Sequence, residues 1–310
     1  MRLLFLGTPE FAIPSLEALA SSKHEVVEVV TAPDRPRGRG YRVQPTPVAQ
    51  VAEALGIRVY KTAKLSGDES IAHIESLRPD ALVLVAFGQI VPKRLLDLPP
   101  YGCINLHPSL LPKYRGAAPI HAPILAGDEV TGVTTMFMDE GLDTGDIIFQ
   151  VETAIGPEEN AGDLHDRLAR IGAELLVETI DALERSEAPR RPQDHALATY
   201  AKKVESVEID WNRPAREAAN AIRGLSPSPG AYTWHGGRRL KLHRARPLLG
   251  EGSPGEPGTV LSVSVEGITV AAGEGAVLLT EVQPEGKAAM SAAEFARGYR
   301  VAPGMRLGAP

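Results

Sequence analysis

Asn105 and His107 stand two residues apart in the run Cys103-Ile104-Asn105-Leu106-His107-Pro108-Ser109-Leu110-Leu111-Pro112, and Gly141-Leu142-Asp143-Thr144-Gly145 follows about forty residues later. An amide, an imidazole and a carboxylate together suit attack on a carbonyl. The Asn105 amide can donate an N–H to a developing oxyanion, and a protonated imidazole donates more strongly. Asp143, flanked by glycines that let its loop turn sharply, is the carboxylate that would keep His107 charged. No covalent nucleophile is needed. The same residues could also serve as hydrogen-bonded strand-end groups with Asp143 capping a turn, a reading that the spacing leaves open. Cys103 could act as a thiol nucleophile with His107 as its base, although an unpaired cysteine in an apolar strand is more often a small buried hydrophobe.

Positioning these groups requires a strand. Successive side chains in an extended segment alternate faces, so Cys103, Asn105 and His107 share one side while Ile104 and Leu106 share the other. Pro108 cannot donate to a sheet ladder and should end the strand there. Both polar groups then fall at its carboxyl edge, where open α/β sheets bind ligands. The rest of the first half supplies such a sheet. Arg2 to Leu6, Glu25 to Thr31, Ile57 to Tyr60, Ala81 to Ala86 and Gly102 to His107 read as strands, and Ser15 to Ala20, Val48 to Leu55 and Asp68 to Leu77 read as helices between them. Phe5-Leu6-Gly7 runs into Thr8-Pro9-Glu10 and lacks the Gly-x-Gly-x-x-Gly turn, which removes the main support for a dinucleotide site. Thr131 to Met138 and Asp146 to Val151 read as strands flanking the Asp143 loop. A long helix follows, opened by Asn160 with Asp163 three residues on.

The chain has 310 residues, 43% hydrophobic and 23% charged, which is enough for two globular domains. A single cysteine excludes a disulfide framework and a cysteine-rich zinc site. The first residues carry too short an apolar run for a signal peptide, and no stretch approaches eighteen apolar residues, so a cytoplasmic protein without membrane contact is expected. Residues 186–198 break the pattern with prolines and charges. The expected organisation is therefore a domain over 1–188, a linker over 189–206 and a second domain over 207–310. Beyond one helix near Pro214 to Gly224, the second domain reads as short strands between glycines, a small all-β unit.

Net charge is −6, so contact with a polyanion must rest on local basic patches. Two exist. The segment from Pro33 to Arg42 carries Arg35, Arg37, Arg39 and Arg42 among prolines and glycines, and guanidinium groups fit phosphate oxygens bidentately. Residues 190–247 hold 12 Lys and Arg against 5 Asp and Glu, a balance of +7 that leaves −13 for the remainder. Lys203, Arg216 and Arg223 are candidates within it. Solvated surface charge is the competing explanation for both patches.

The motif from Asn105 to Pro112, its continuation Lys113-Tyr114-Arg115-Gly116-Ala117-Ala118-Pro119-Ile120 and the Gly141 to Gly145 loop resemble the formyltransferase family that uses 10-formyltetrahydrofolate. The likeness runs over essentially the whole chain. Some members carry glycine where this chain has Pro108. The resemblance implies a Rossmann-like, mostly parallel α/β domain followed by a small C-terminal OB-like β-barrel. It also implies catalytic roles for Asn105, His107 and Asp143. Folate contacts would fall on Ser109, Leu110, Leu111 and Pro112 and on Phe87, Gly88, Gln89 and Ile90. The nearest branch acts on aminoacylated initiator tRNA, implying transfer of formyl to the methionine α-amine for translation initiation by a monomeric enzyme without a metal. In that branch a basic loop approaches the acceptor stem, and Arg39 matches its functional arginine. Three rivals are a folate-dependent formyltransferase acting on an amino sugar or other small amine, a formyltetrahydrofolate hydrolase, and a noncatalytic RNA-binding module.

Overall fold

A computed structural model of the chain describes residues 1–37, 42–250, 252 and 254–308. It divides into two compact units. The first comprises Met1–Pro119, Gly132–Thr153 and His165–Tyr200, and the second comprises Ile120–Thr131, Ala154–Leu164 and Ala201–Pro310.

The first unit is built on strands whose apolar residues are buried on both faces, the pattern of a helix-covered parallel sheet. Its strands are β1 (Arg2–Gly7), β2 (Glu25–Thr31), β5 (Val59–Lys61), β6 (Ala81–Val85), β7 (Cys103–His107), β9 (Val130–Phe137) and β10 (Ile147–Ala154). They lie in the order β10-β9-β7-β6-β1-β2-β5. The pairs β1–β2, β1–β6, β2–β5 and β6–β7 are parallel, and β9 runs antiparallel to β7. Strand order reverses at β1 and β6, the address at which doubly wound sheets open a crevice. Helices α1 (Ile13–Ala20), α2 (Pro47–Ala54), α3 (Asp68–Leu77) and α4 (Lys93–Leu96) connect these strands. One face of the sheet, Leu4, Leu6, Leu82, Leu84 and Cys103, packs against Ile71, Ile74 and Leu95 of α3 and α4. On the other face Leu106 meets α6 (Ala161–Glu184) at Gly172, where an added Cβ would lie 2.7 Å from its methyl. The basic segment expected as a loop is instead framed by a two-stranded antiparallel ribbon, β3 (Arg35–Arg37) and β4 (Arg42–Gln44). Two short strands, β8 (Arg115–Gly116) and β11 (Tyr200–Ala201), lie outside the main sheet.

The second unit carries β12 (Val207–Glu208), β13 (Ala231–His235), β14 (Arg238–Leu248), β15 (Val260–Val263), β16 (Ile268–Ala271), β17 (Ala276–Pro284) and β18 (Met290–Ser291). The ladder runs β12-β13-β14-β17-β16-β15, with β18 on β17. The tail joins its far ends, because Val260 N donates to Met305 O while Gly308 N donates to Trp234 O. The sheet therefore wraps a core of Ile222, Leu240, Leu242, Val277, Leu279 and Phe295. That core is closed by α7 (Ala215–Leu225) and α8 (Ala292–Tyr299), the latter started by a reciprocal Ser291–Glu294 capping box.

Two stretches expected within the first domain group with the second unit. Helix α5 (His121–Ala126) packs Leu125 against Gly224, and His121 Nδ1 donates to Gly224 O at 2.7 Å. Residues 154–164 follow because Arg223 Nη1 donates to Glu159 O at 3.0 Å and Arg244 pairs with Asp163 at 2.8 Å. Among the described residues no helix is long and apolar enough to cross a membrane.

Candidate active site

Strand β7 ends as the alternation requires. Cys103 and His107 are buried and Asn105 is half-buried on the same face. Cys103 Sγ lies 3.3 Å from Leu95 O, and burial pushes its thiol up to about 12. Almost no thiolate exists there at neutral pH, which removes the nucleophile reading. The Asn105 amide has no hydrogen-bond partner among the described residues, so its donors are available to a ligand.

His107 is oriented from both sides. Its Nε2 lies 3.0 Å from the Tyr114 carbonyl, which can only accept, so Nε2 carries a proton. Nδ1 lies 3.7 Å from Asp143 Oδ1. The other Asp143 oxygen accepts from Gly116 N at 2.8 Å. Asp143 adopts φ +53°, a left-handed conformation uncommon outside glycine. Its loop is tight: a Cβ at Gly145 would fall 1.9 Å from Phe137 O, and Asp139 Oδ1 accepts from Gly141 N at 2.9 Å and Thr144 Oγ1 at 2.6 Å.

The loop after β7 is stapled by groups that sequence reasoning missed. Thr134 Oγ1 donates to Ser109 O at 2.6 Å, and Gln150 Nε2 donates to Leu111 O at 2.9 Å. Ser109 is itself engaged with Lys113 O, and the Leu111–Pro112 bond is cis. Thr134 and Gln150 are polar residues inside apolar strands, and that mismatch was a usable signal. Gln193, which braces the Asp143 loop from the segment expected as a linker, carried none, and its partner Arg115 stood in the motif's continuation without an assigned role.

Phe87, Gly88 and Gln89 line a cavity of about 400 Å³ at the carboxyl ends of β1, β2 and β6, together with Thr8, Pro33, Arg35, Gln44 and Thr46. The Gln89 side chain is spent on structure, accepting from Leu65 N at 2.8 Å and donating to Thr62 O at 3.0 Å. Ile90 is 89% exposed beside it. Ile90, Ser109, Leu110, Leu111 and Pro112 do not line this cavity.

Of the basic candidates, Arg35, Lys203 and Arg216 are exposed. Arg37 and Arg42 pair in the ribbon register, and Arg39 lies outside the described residues. Arg223 must be removed from the nucleic-acid candidates: it is 8% exposed and gives its guanidinium to Glu159 O and Asn220 Oδ1. Burial lowers its pKa from the ordinary value. Among the described residues His24, Asp181 and Glu184 converge closely enough to hold a cation. Lys23 already supplies that charge, at 3.1 Å from Asp181 and 2.8 Å from Glu184, and holds both carboxyls below their usual range.

The first unit is a mostly parallel sheet with an amide and an imidazole at the carboxyl edge of β7 and a carboxylate on the loop before β10, an arrangement suited to transfer of a carbonyl-containing group. Residues 1–180 match the family described as Formyl transferase, and residues 202–300 match Formyl transferase, C-terminal domain. The chain belongs to the formyl transferase family. It is 51% identical to a methionyl-tRNA formyltransferase of Geotalea daltonii, over 99% of this chain and 98% of the relative. With the methionyl-tRNA formyltransferase of Moorella thermoacetica it shares 50% identity over 99% of both. Among solved structures, the sugar 3N-formyl transferase WlaRD aligns with a TM-score of 0.65 at 18% identity, covering 93% of this chain and 99% of that one. An N-formyltransferase from Helicobacter canadensis aligns at 0.64 and 19%, covering 91% and 98%. These last two establish the shared fold.

Proposed function

We propose that this protein transfers the formyl group of 10-formyltetrahydrofolate to the α-amino group of methionine carried on initiator tRNA, in the cytoplasm and as a monomer. The observation that carries the reading is the convergence of His107 and Asp143 beside the unpartnered Asn105 amide at the end of β7, in a chain about half identical to methionyl-tRNA formyltransferases over its full length.

The folate supplies the formyl group, and the chain has walls that fit it. A cavity of about 400 Å³ falls in the size range of small-molecule sites and combines the Phe87 ring with the polar groups of Arg35, Gln44 and Thr46. Phe87, Gly88, Gln89 and Ile90 on one loop and Ser109 to Pro112 on the other are the residues proposed to hold it, with Gln89 acting by shaping the loop. Asn105 donates to the oxygen that gains negative charge. The amine nitrogen bonds to the formyl carbon, and the bond from that carbon to N10 breaks. His107, with Nε2 committed to Tyr114 O, serves the oxyanion through Nδ1–H, and Asp143 holds the imidazole in place and relays the proton lost by the amine, through water, to N10 of the departing tetrahydrofolate. Donors fixed in advance by a folded scaffold stabilise such charge without reorganising during the reaction. Residues 1–188 form the catalytic part in this reading, while Lys203 of the linker 189–206 and Arg216 of the domain 207–310 meet the RNA. Arg39, Arg35, Arg37 and Arg42 meet the acceptor end.

The test is formyl transfer from 10-formyltetrahydrofolate to initiator and elongator methionyl-tRNA, resolved on acid gels, with an amino sugar nucleotide as a third acceptor. Formylation of the initiator with little of the elongator is expected. Transfer only to the sugar, or formyl loss without any acceptor, would overturn the assignment.

A further inference from the structure

Gln193 lies in a segment with no helical or strand pattern, yet its side chain is 6% exposed and every one of its hydrogen-bonding positions is used. Nε2 donates to Asp143 O at 2.9 Å and to Gly145 O at 2.8 Å. Oε1 accepts from Arg115 Nε at 3.2 Å and Nη2 at 2.6 Å. Arg115 is 1% exposed, the largest fully buried side chain among the described residues, and its Nη2 also meets His195 Nδ1 at 3.2 Å. A buried guanidinium is retained only where its donors are matched, and here the amide oxygen of Gln193 is a main partner.

We infer that Gln193, anchored by Arg115, is a positioning residue that fixes the backbone of Asp143 and so sets where its carboxylate stands against His107. Three consecutive residues make the connection. Tyr114 O accepts from His107 Nε2, the Arg115 guanidinium donates to Gln193 Oε1, and Gly116 N donates to Asp143 Oδ2. The strap bearing Gln193 is pinned to the same stretch, since Arg115 N donates to Thr199 O at 2.9 Å and Tyr114 N to Thr199 Oγ1 at 2.9 Å. It is pinned also beyond the Asp143 loop, where Ile147 and Arg191 exchange backbone bonds of 2.8 and 3.0 Å. Such bracing matters because the φ of +53° at Asp143 lies in the left-handed region, which costs an aspartate free energy relative to extended or helical backbone. A glutamine amide is the group for this position: it gives two donors and two acceptors from one planar head, whereas glutamate only accepts. The role rests on the assignment of Asp143 proposed above.

The test uses the full-length enzyme and the substitutions Gln193→Glu, Gln193→Met and Asp143→Asn. Gln193→Glu keeps the acceptors for Arg115 and removes both donations to the Asp143 loop, while Gln193→Met removes the donations without adding charge. Steady-state formylation is measured per folded molecule, with the folded fraction taken from thermal melts. Each Gln193 variant should lower kcat roughly tenfold to a hundredfold, with KM for folate and tRNA within about threefold, the pattern of an interaction felt in the transition state. Combining Gln193→Glu with Asp143→Asn should cost little beyond Asp143→Asn alone, because residues acting through one group are non-additive. A purely structural role would instead lower the melting temperature, leave kcat per folded molecule intact and multiply with Asp143→Asn. Full turnover in both Gln193 variants beside a slow Asp143→Asn, or a multiplicative double variant, overturns the proposal. A fast Asp143→Asn overturns the assignment beneath it.

Discussion

The carbonyl of Tyr114 stands 3.0 Å from His107 Nε2, in a residue that itself adopts φ +61° to present it. That contact holds a proton on Nε2 and leaves Nδ1 as the nitrogen facing Asp143 at 3.7 Å. The geometry separates the ring nitrogens: one is held by the fold, and the other faces Asp143, where the proposed reaction would use it. Asn105, two residues earlier on the same face, contributes an amide with no competing partner among the described residues.

Removing that amide tests the division directly. Asn105→Ala should lower kcat by about 10²–10³-fold, the usual consequence of losing one preorganised oxyanion donor. Because the side chain makes no hydrogen bond within the described protein, the melting temperature should stay within a degree or two. Stopped-time formylation together with a thermal melt measures both, and a fast enzyme would remove Asn105 from the chemistry.

Cys103 gives a prediction about pH. Its folded thiol is pushed up to about 12 from an ordinary value of 9.0, chiefly by burial. A raised folded pKa means that the unfolded chain releases its proton first. The thiol's contribution to stability is thus complete below about pH 9 and is lost as pH climbs towards 12, with a slope approaching 1.4 kcal/mol per unit. Cys103→Ala should flatten this alkaline loss in denaturant titrations between pH 8 and 11 and leave neutral kcat within about twofold. A thiol reagent should label the wild type only on unfolding. Rapid labelling of the folded enzyme would contradict the burial.

Gly141 and Gly145 flank Asp143 but are not equivalent. A Cβ at Gly145 would meet the Phe137 carbonyl at 1.9 Å, and backbone there cannot step aside. At Gly141 the atom met at 1.9 Å is Thr144 Oγ1, the end of a side chain. Gly145→Ala should therefore cost about 1–3 kcal/mol or more and reduce kcat steeply, as overpacking does when it moves a site. Gly141→Ala should be milder, losing mainly the Thr144–Asp139 bond. Equal effects in parallel melts and rate assays would show that the loop yields as a whole.

What was legible in the sequence was local. Alternation along β7 and the stop at Pro108 placed Asn105 and His107, because a strand's side-chain period is a property of the chain itself. The paired glycines marked a tight loop around Asp143. Gln193 was invisible for the opposite reason: its partners lie 48 to 78 residues away, and nothing in a Pro-Gln-Asp stretch encodes which carbonyls it will meet. The same holds for α5 and for residues 154–164, whose grouping with the second unit follows from contacts with α7 and β14. Arg216 and Arg223, seven apart on one helix, were both candidates in the same basic patch, yet burial separates them.

That separation makes the pair a sharp test of the nucleic-acid reading. Arg216 is exposed on α7, so Arg216→Ala should leave the melt unchanged and weaken initiator tRNA binding. It should also make the slope of log K against log salt shallower by about one for each phosphate that the guanidinium had neutralised. Arg223 is inside, with its guanidinium on Glu159 O and Asn220 Oδ1. Arg223→Ala strands those acceptors and leaves a hole, so it should destabilise by about 2–4 kcal/mol and lower the melting temperature by several degrees. The salt slope of the folded fraction should not change. Filter binding from 50 to 200 mM salt beside calorimetric melts reads both quantities. An Arg223→Ala protein with normal stability and a reduced salt slope would return that arginine to the RNA surface.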